Sequence, residues 1–229
     1  MEFNGNFYFF MRWMHYFFGI IWIGHLYYFN FTQAPFFAET DATTKSNAIQ
    51  KLLPRALWWF RWGAMFTFIT GFIMLSIWGS SVGPDALKTS FGLCISIGAL
   101  LGTLMFLNVW LVIWPAQQVV IESTTNVSQG KPALPNAAAR GAAALLASRT
   151  NVLFSLPMLF FMGAGSHLAL PAATSGDYTS ALFAATGIIG LLEVNAIKGK
   201  IGPMATVKGV IHFGVALTVV LFAIIWMLA

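Results

Sequence analysis

The sequence predicts an all-α integral membrane protein: a bundle of about six transmembrane helices, both termini periplasmic. Three observations lead there. The 229 residues are 58% hydrophobic and only 8% charged, with a mean hydropathy of +0.76, which a soluble domain of this size would carry only by exposing large apolar patches. The apolar residues gather into stretches long enough to cross ~30 Å of hydrocarbon at ~1.5 Å per residue. Lysine and arginine collect in alternate connections, as orientation in a membrane requires.

The predicted spans run from 7–31, 56–78, 91–114, 151–171, 180–197 and 206–228, all within a single domain, 1–229. The first is too aromatic and too polar at its end for a cleavable signal, and is read as a retained helix. In the second, Arg61 follows a Trp-rich entry. In the third, Gly98 and Gly102 have the spacing of a helix-contact motif. The fourth contains Pro157, a candidate kink. Two connections are long, 32–55 and 115–150, and the alanine-rich 136–148 reads as a surface helix with Asn136 as its cap. The single cysteine, Cys94, excludes an internal disulfide and a Cys-x-x-Cys-His attachment of c-type haem.

Orientation follows from the cations. Lys45, Lys51, Arg55, Lys131, Arg140, Arg149, Lys198 and Lys200 lie in or beside the first, third and fifth connections, against Arg12 and Lys88 on the other side. The positive-inside rule then puts both chain ends outside, in a bacterial inner (cytoplasmic) membrane crossed several times. The net charge of +5 belongs to these loops and implies no nucleic-acid partner.

All four histidines, His15, His25, His167 and His212, fall in apolar stretches. An ionisable side chain at membrane depth is a functional candidate by default, and imidazole is the usual axial ligand of b-type haem. Topology places His15 and His167 in the outer half and His25 and His212 in the inner half, so each pair is a candidate metal-ligand pair. One haem b is expected and a second is allowed. His15 and His25 are offset by ~15 Å of rise and roughly 80° of rotation, which disfavours two haems served from one helix. Glycines beside the histidines (Gly19, Gly24, Gly163, Gly165, Gly209, Gly214) suit a flat macrocycle, although small residues also serve helix contact. A membrane histidine that merely hydrogen-bonds a neighbouring helix is the competing explanation.

Arg12, Arg61, Arg149 and Lys208 stand near predicted helix ends, where long cationic stems snorkel to the headgroups. Haem propionates are the functional alternative: Arg12 for the outer pair, Arg61 and Lys208 for the inner. Glu193 is the only carboxylate within a span. It is a candidate for proton handling, for a polar substrate or quinone contact, or for simple pairing with Lys198 or Lys208. Asn108 lies deep in the third span, and Asn30 and Asn195 lie toward inner ends.

Several blocks resemble a known family. Arg12-Trp13-Met14-His15 with Gly19-Ile20-Ile21-Trp22-Ile23-Gly24, then Leu53-Pro54-Arg55-Ala56-Leu57-Trp58-Trp59-Phe60-Arg61-Trp62, resemble the first two helices of the bacterial membrane-bound, cytochrome-c-linked urate oxidases, also called urate hydroxylases. Asn108-Val109-Trp110 with Ile113-Trp114-Pro115-Ala116-Gln117, and Ser148-Arg149-Thr150-Asn151 leading to Ser166-His167, are similar to later blocks of the same family. The resemblance implies a membrane scaffold for urate oxidation with a cytochrome c as acceptor. The C-terminal cytochrome c domain of that family does not follow here, so a separate cytochrome c is expected. Thr150 stands where the family usually has histidine, and His25 where it more often has a small residue. The first helix also resembles, loosely, the haem-binding protoporphyrinogen oxidase of bacteria.

Two functions of different class follow. One is a b-type haem redox protein passing electrons between a periplasmic cytochrome or other redox subunit and the membrane, through quinone or a second haem. The alternative is an oxidoreductase of urate type, with Asn108, Arg149, Asn151 and Glu193 as catalytic or substrate-binding candidates and a separate cytochrome c as acceptor. A non-redox membrane subunit is the third. Each version works within the lipid bilayer as part of a membrane complex.

Overall fold

The computed structural model describes residues 2–168, 170 and 177–228, and these form helices and connections with no strand. Helix α1 (Glu2–Tyr27) passes into a π-helical turn, Tyr28–Gln33, and the short α2 (Ala34–Glu39). Helix α3 (Ala42–Lys51) begins at Asp41, whose carboxylate accepts the Thr43 and Thr44 amide hydrogens at 2.9 Å. The Thr44 side chain first, and then these amides, hold that carboxyl below the usual carboxylate range. Next come α4 (Leu53–Val82), a 3-10 turn (Gly83–Lys88), α5 (Ser90–Leu107), a second π turn (Asn108–Ile113) and α6 (Trp114–Ser128). Helices α7 (Ala137–His167), α8 (Thr179–Lys198) and α9 (Val207–Leu228) complete the chain.

Among the described residues, five stretches are long and apolar enough to cross a membrane: Leu53–Lys88, Ser90–Ser128, Ala137–His167, Thr179–Lys198 and Val207–Leu228. Helix α1 has the length, with 26 residues, but Arg12, His15 and its tyrosines and tryptophans lower its mean hydropathy. The predicted end of the fourth span at residue 171 lies outside the described residues.

The long connections are more helical than expected. Residues 136–148 are no separate surface helix. They are the first turns of α7, because nothing between Ala137 and Leu156 breaks a helix, and Asn136 makes no side-chain cap. Helix α7 continues through Pro157 as well. Helices α5 and α6 together reach far past the predicted boundary at 114, and α3 packs on both α4 and α6. Ser128 Oγ–H donates to Gln50 Oε1 at 3.1 Å, tying α6 to α3. This end of the bundle carries Lys45, Lys51, Arg55, Lys131 and Arg140, and is called the basic end below.

Both π turns precede a proline, Pro35 or Pro115. A proline in a helix lacks an N–H and its ring collides with the carbonyl four residues back. The chain relieves this by widening the preceding turn: the Ala34 N–H reaches back five residues to the Phe29 carbonyl, and the Trp114 N–H to that of Val109. Such turns interrupt the side-chain register and often mark functional sites.

Close contacts define antiparallel pairs. On α4, a Cβ at Gly63 would lie 3.0 Å from the Trp22 backbone nitrogen, and one at Gly71 would lie 3.0 Å from His15 Cε1. The α1–α4 seam therefore needs glycine at both positions. Gly63→Leu is expected to destabilise the protein by about 1–3 kcal/mol through overpacking, read as a lowered thermal unfolding midpoint in detergent. An unchanged midpoint would show that the seam is loose. On α5, Gly98 lies against Met162 of α7, as its spacing suggested. The core runs along α7, with Leu153, Phe154 and Phe161 fully buried, while Ile20, Leu111, Phe183 and Leu191 remain outside, as hydrocarbon surroundings allow.

Candidate functional site: a buried polar layer around α7

On α7, Ser148 and Asn151, which flank Arg149 and Thr150, meet polar groups from the two π turns. From the first, the Asn30 side-chain amide donates to Leu26 O and Ser148 Oγ, both at 2.8 Å. One turn toward the opposite end, Tyr27 and Ser155 share a 2.8 Å hydrogen bond between hydroxyls. From the second, Asn108 Nδ2 donates to Asn151 Oδ1 at 3.0 Å and to Glu193 Oε2 of α8 at 3.1 Å. Asn151 Nδ2 donates to the Met105 carbonyl at 2.9 Å. Asn108 opens the second π turn with its N–H still bonded to the Leu104 carbonyl, so α5 sets its direction toward α7, while Asn30 lies within the first turn.

Three of the four catalytic candidates thus meet: Asn108, Asn151 and Glu193. The bonds made by Asn108 and Asn151 occupy much of their capacity, so the trio acts first as a lock fixing the rotation of α7 against α5 and α8. Glu193 pairs with an amide, and the expected alternatives Lys198 and Lys208 are exposed. Arg149 is different. It lies one turn before Leu153, on the side of α7 that meets Gly214 of α9, and is 5% exposed. Its Nε and Nη1 are buried with no hydrogen-bond partner. Among the described residues the one ion pair is Lys88–Asp85, at the far end of α4, so no carboxylate neutralises Arg149.

The histidines occupy three settings. His15 Nδ1 lies 2.9 Å from the Thr67 carbonyl and 3.2 Å from Thr70 Oγ1. A carbonyl can only accept, so Nδ1 carries the proton and Nε2 keeps the lone pair. His25 is held in the same way by its own helix, with Nδ1 donating to the Ile21 carbonyl at 2.7 Å. His167 and His212 are exposed. No hydrogen bond or ring contact joins any two of the four among the described residues.

Register nonetheless relates the outer two. The Tyr27–Ser155 bond ties antiparallel α1 and α7, and His15 and His167 lie equally far from it along their helices, ~18 Å at 1.5 Å per residue. By that register they lie toward the same end of the two helices. Among the described residues, α1 and α9, which carry His25 and His212, share at most a marginal contact. Each meets its own face of α7, through Ser155 and Leu156 respectively.

Three of the six glycines beside the histidines pack on a neighbouring helix: Gly19 faces Thr67, Gly165 faces Phe91, and Gly214 faces Leu156. Only Gly24 and Gly163 face open space. The glycine that does bear on a histidine is Gly71, on another helix, which the sequence did not single out. Arg12 is exposed, lies 5.0 Å over the Tyr8 ring and lines an open hollow of about 430 Å³ with Ile77, Trp78, Ser81 and Phe91. Arg61 stacks on indoles. Tyr27, Ser148 and Ser155 were missed, because hydroxyls in apolar helices carry little signal. The prolines at 35 and 115 were the available clue.

A helical, multi-pass membrane protein with a buried polar layer and an unneutralised arginine inside it is the class these features define. The sequence profile described as urate oxidase N-terminal matches residues 86–229, and the chain belongs to that family. The resembling blocks from Asn108 and Ser148 fall inside the matched range, while those of the first two helices precede it. Comparisons with curated proteins and with solved structures gave no match.

Proposed function

We propose that this chain is the substrate-oxidising membrane part of a urate-oxidase-type system, six helices crossing a bacterial inner membrane with both ends periplasmic. The observation that carries the reading is Arg149. A buried guanidinium with free Nε and Nη1 is costly without an anion, and urate is a planar anion rimmed by carbonyl oxygens and N–H groups. Arg149 would anchor it by charge-assisted hydrogen bonds. The Asn108–Asn151–Glu193 lock holds α7 so that Arg149 keeps its aim, and Glu193 is the carboxylate available to exchange a proton nearby. The spread of lysine and arginine toward the basic end supports the orientation, with that end in the cytoplasm.

A b-type haem is the electron carrier that the histidines suit. The fit rests on His15, whose Nδ1–H is fixed by the Thr67 carbonyl so that Nε2 can ligate, the usual arrangement of a ligating imidazole. His167, toward the same end of α7, would be the second ligand. When bound, haem would take electrons from the substrate side and pass them to a separate periplasmic cytochrome c. His15 supplies an oriented nitrogen, Gly71 the room for its ring, and Arg12 a cation for a propionate.

The test is a reduced-minus-oxidised spectrum of the purified protein with and without urate. Haem in the wild type and in His25→Ala, its loss in His15→Ala, and reduction on adding urate are expected. Folded protein that holds haem but neither binds urate nor is reduced by it would leave the oxidase reading without support. Haem retained in His15→Ala would remove the ligand assignment alone.

A further inference from the structure

Arg61 stands about two turns into α4 from the basic end, in a cage of indoles. Its Cζ lies 3.9 Å from the Trp114 ring centre, 5.2 Å from Trp110 and 5.9 Å from Trp62. The ring faces offset part of the cost of desolvating the charge, but they accept no ordinary hydrogen bond. Arg61 Nε is buried without a partner, and so is Nε1 of Trp110 in the same cage. Two donors and a full positive charge are therefore present. Among the described residues no acceptor or carboxylate is bonded to either.

The aromatic strip continues outward from the cage. Trp62 lies 6.5 Å from Trp58, and Trp58 4.9 Å from Trp59. Trp58 and Trp59 are about half exposed. With Pro54 and Arg55 they line an open hollow of about 390 Å³. A second arginine thus lies at the mouth of the strip, nearer the helix end, and no acidic side chain belongs to it. Tryptophan at this depth marks the headgroup level of a bilayer, where phosphate oxygens are the abundant acceptors.

We propose that the Arg61–Trp110–Trp114 cage and the Arg55–Trp58–Trp59 hollow form one binding site for an anionic phospholipid, the phosphate meeting Arg61 and an acyl chain lying along the hollow. The charge pattern selects the headgroup. A choline or ethanolamine ammonium would meet two arginines, and the indole faces of Trp62, Trp110 and Trp114 are already occupied by Arg61. Phosphatidylglycerol, with a phosphate and no ammonium, satisfies the donors without that repulsion.

The experiment is a lipid titration of detergent-solubilised protein followed by native mass spectrometry, comparing phosphatidylglycerol with phosphatidylcholine. Wild type is expected to prefer phosphatidylglycerol by roughly tenfold, the scale of one charge-assisted hydrogen bond. Arg61→Gln should abolish the preference, and Arg140→Gln, an exposed cation at the same end, should leave it intact. Trp110→Phe keeps the ring and removes the donor, so it should weaken phosphatidylglycerol binding a few-fold and covers the case in which Arg61→Gln does not fold. Equal binding of the two lipids by wild type, or equal losses in Arg61→Gln and Arg140→Gln, would overturn the site. Haem content and urate response play no part in the readout, so their failure leaves it standing.

Discussion

Arg149→Met is expected to yield a protein that unfolds at higher temperature and binds urate roughly 10- to 100-fold more weakly, the cost of one hydrogen bond to a charged group at about 1.5–3 kcal/mol. The two effects have opposite sign for one reason. In the free protein the guanidinium is buried with Nε and Nη1 unsatisfied, so its charge is a desolvation cost that nothing within the described chain offsets. Methionine has similar length, fills the space beside Leu153 and carries no charge, and relief of this kind amounts to about 1–3 kcal/mol in buried sites. An anion restores the balance only while it is bound. Thermal unfolding of wild type should therefore rise with added urate, and that of Arg149→Met should not. A variant less stable than wild type with unchanged urate affinity would show that Arg149 serves packing alone.

Asn108→Leu is expected to act in the other direction, lowering stability and activity together. Its amide is the donor to both Asn151 Oδ1 and Glu193 Oε2. Leucine, close in size, would leave a buried carbonyl oxygen and a carboxylate without their partner, at about 1–3 kcal/mol for each such group. The loss also frees α7 to rotate against α5 and α8, which turns Arg149 from its position. Asn108→Asp is the informative comparison: it keeps the volume but sets a second carboxylate against Glu193, and like charges at that distance oppose one another. Leucine tolerated at both the stability and the activity level would remove the lock from the account. A double substitution with Glu193→Gln measures the coupling directly, since adjacent members of one network do not add.

Much of the scaffold was legible in the sequence. Span boundaries at 180–197 and 206–228 agree with α8 and α9 to within a residue, because long apolar runs ended by Gly or Lys leave the chain little choice. The connections were harder. Residues 136–148 are apolar enough to lie on a surface yet continuous with the helix that follows, and only packing of α6 on α7 decides that they extend it. Asn108, Arg149, Asn151 and Glu193 stood out as polar residues in apolar runs. Their division of labour did not, since the sequence offers no way to know which polar groups satisfy one another. The π turns explain part of the rest: widening by one residue before Pro35 and Pro115 shifts the faces of the residues that follow, and a helical wheel drawn at constant period misplaces those.

The histidines show the same boundary. Their heights follow from counting residues along helices, so topology alone puts His15 and His167 toward one end, and the Tyr27–Ser155 bond is in keeping with that. Their surroundings were not available. That His15 rests on Gly71 and donates to Thr67 depends on how α4 crosses α1, a contact between segments more than fifty residues apart. Composition and periodicity by themselves determined a multi-pass helical membrane protein with a basic end, because hydropathy is a property of each residue and its near neighbours. Tertiary structure decided which of the buried polar groups are satisfied and which, at Arg149 and Arg61, are left for something else to neutralise, because hydrogen bonding between helices depends on distances that no single helix contains.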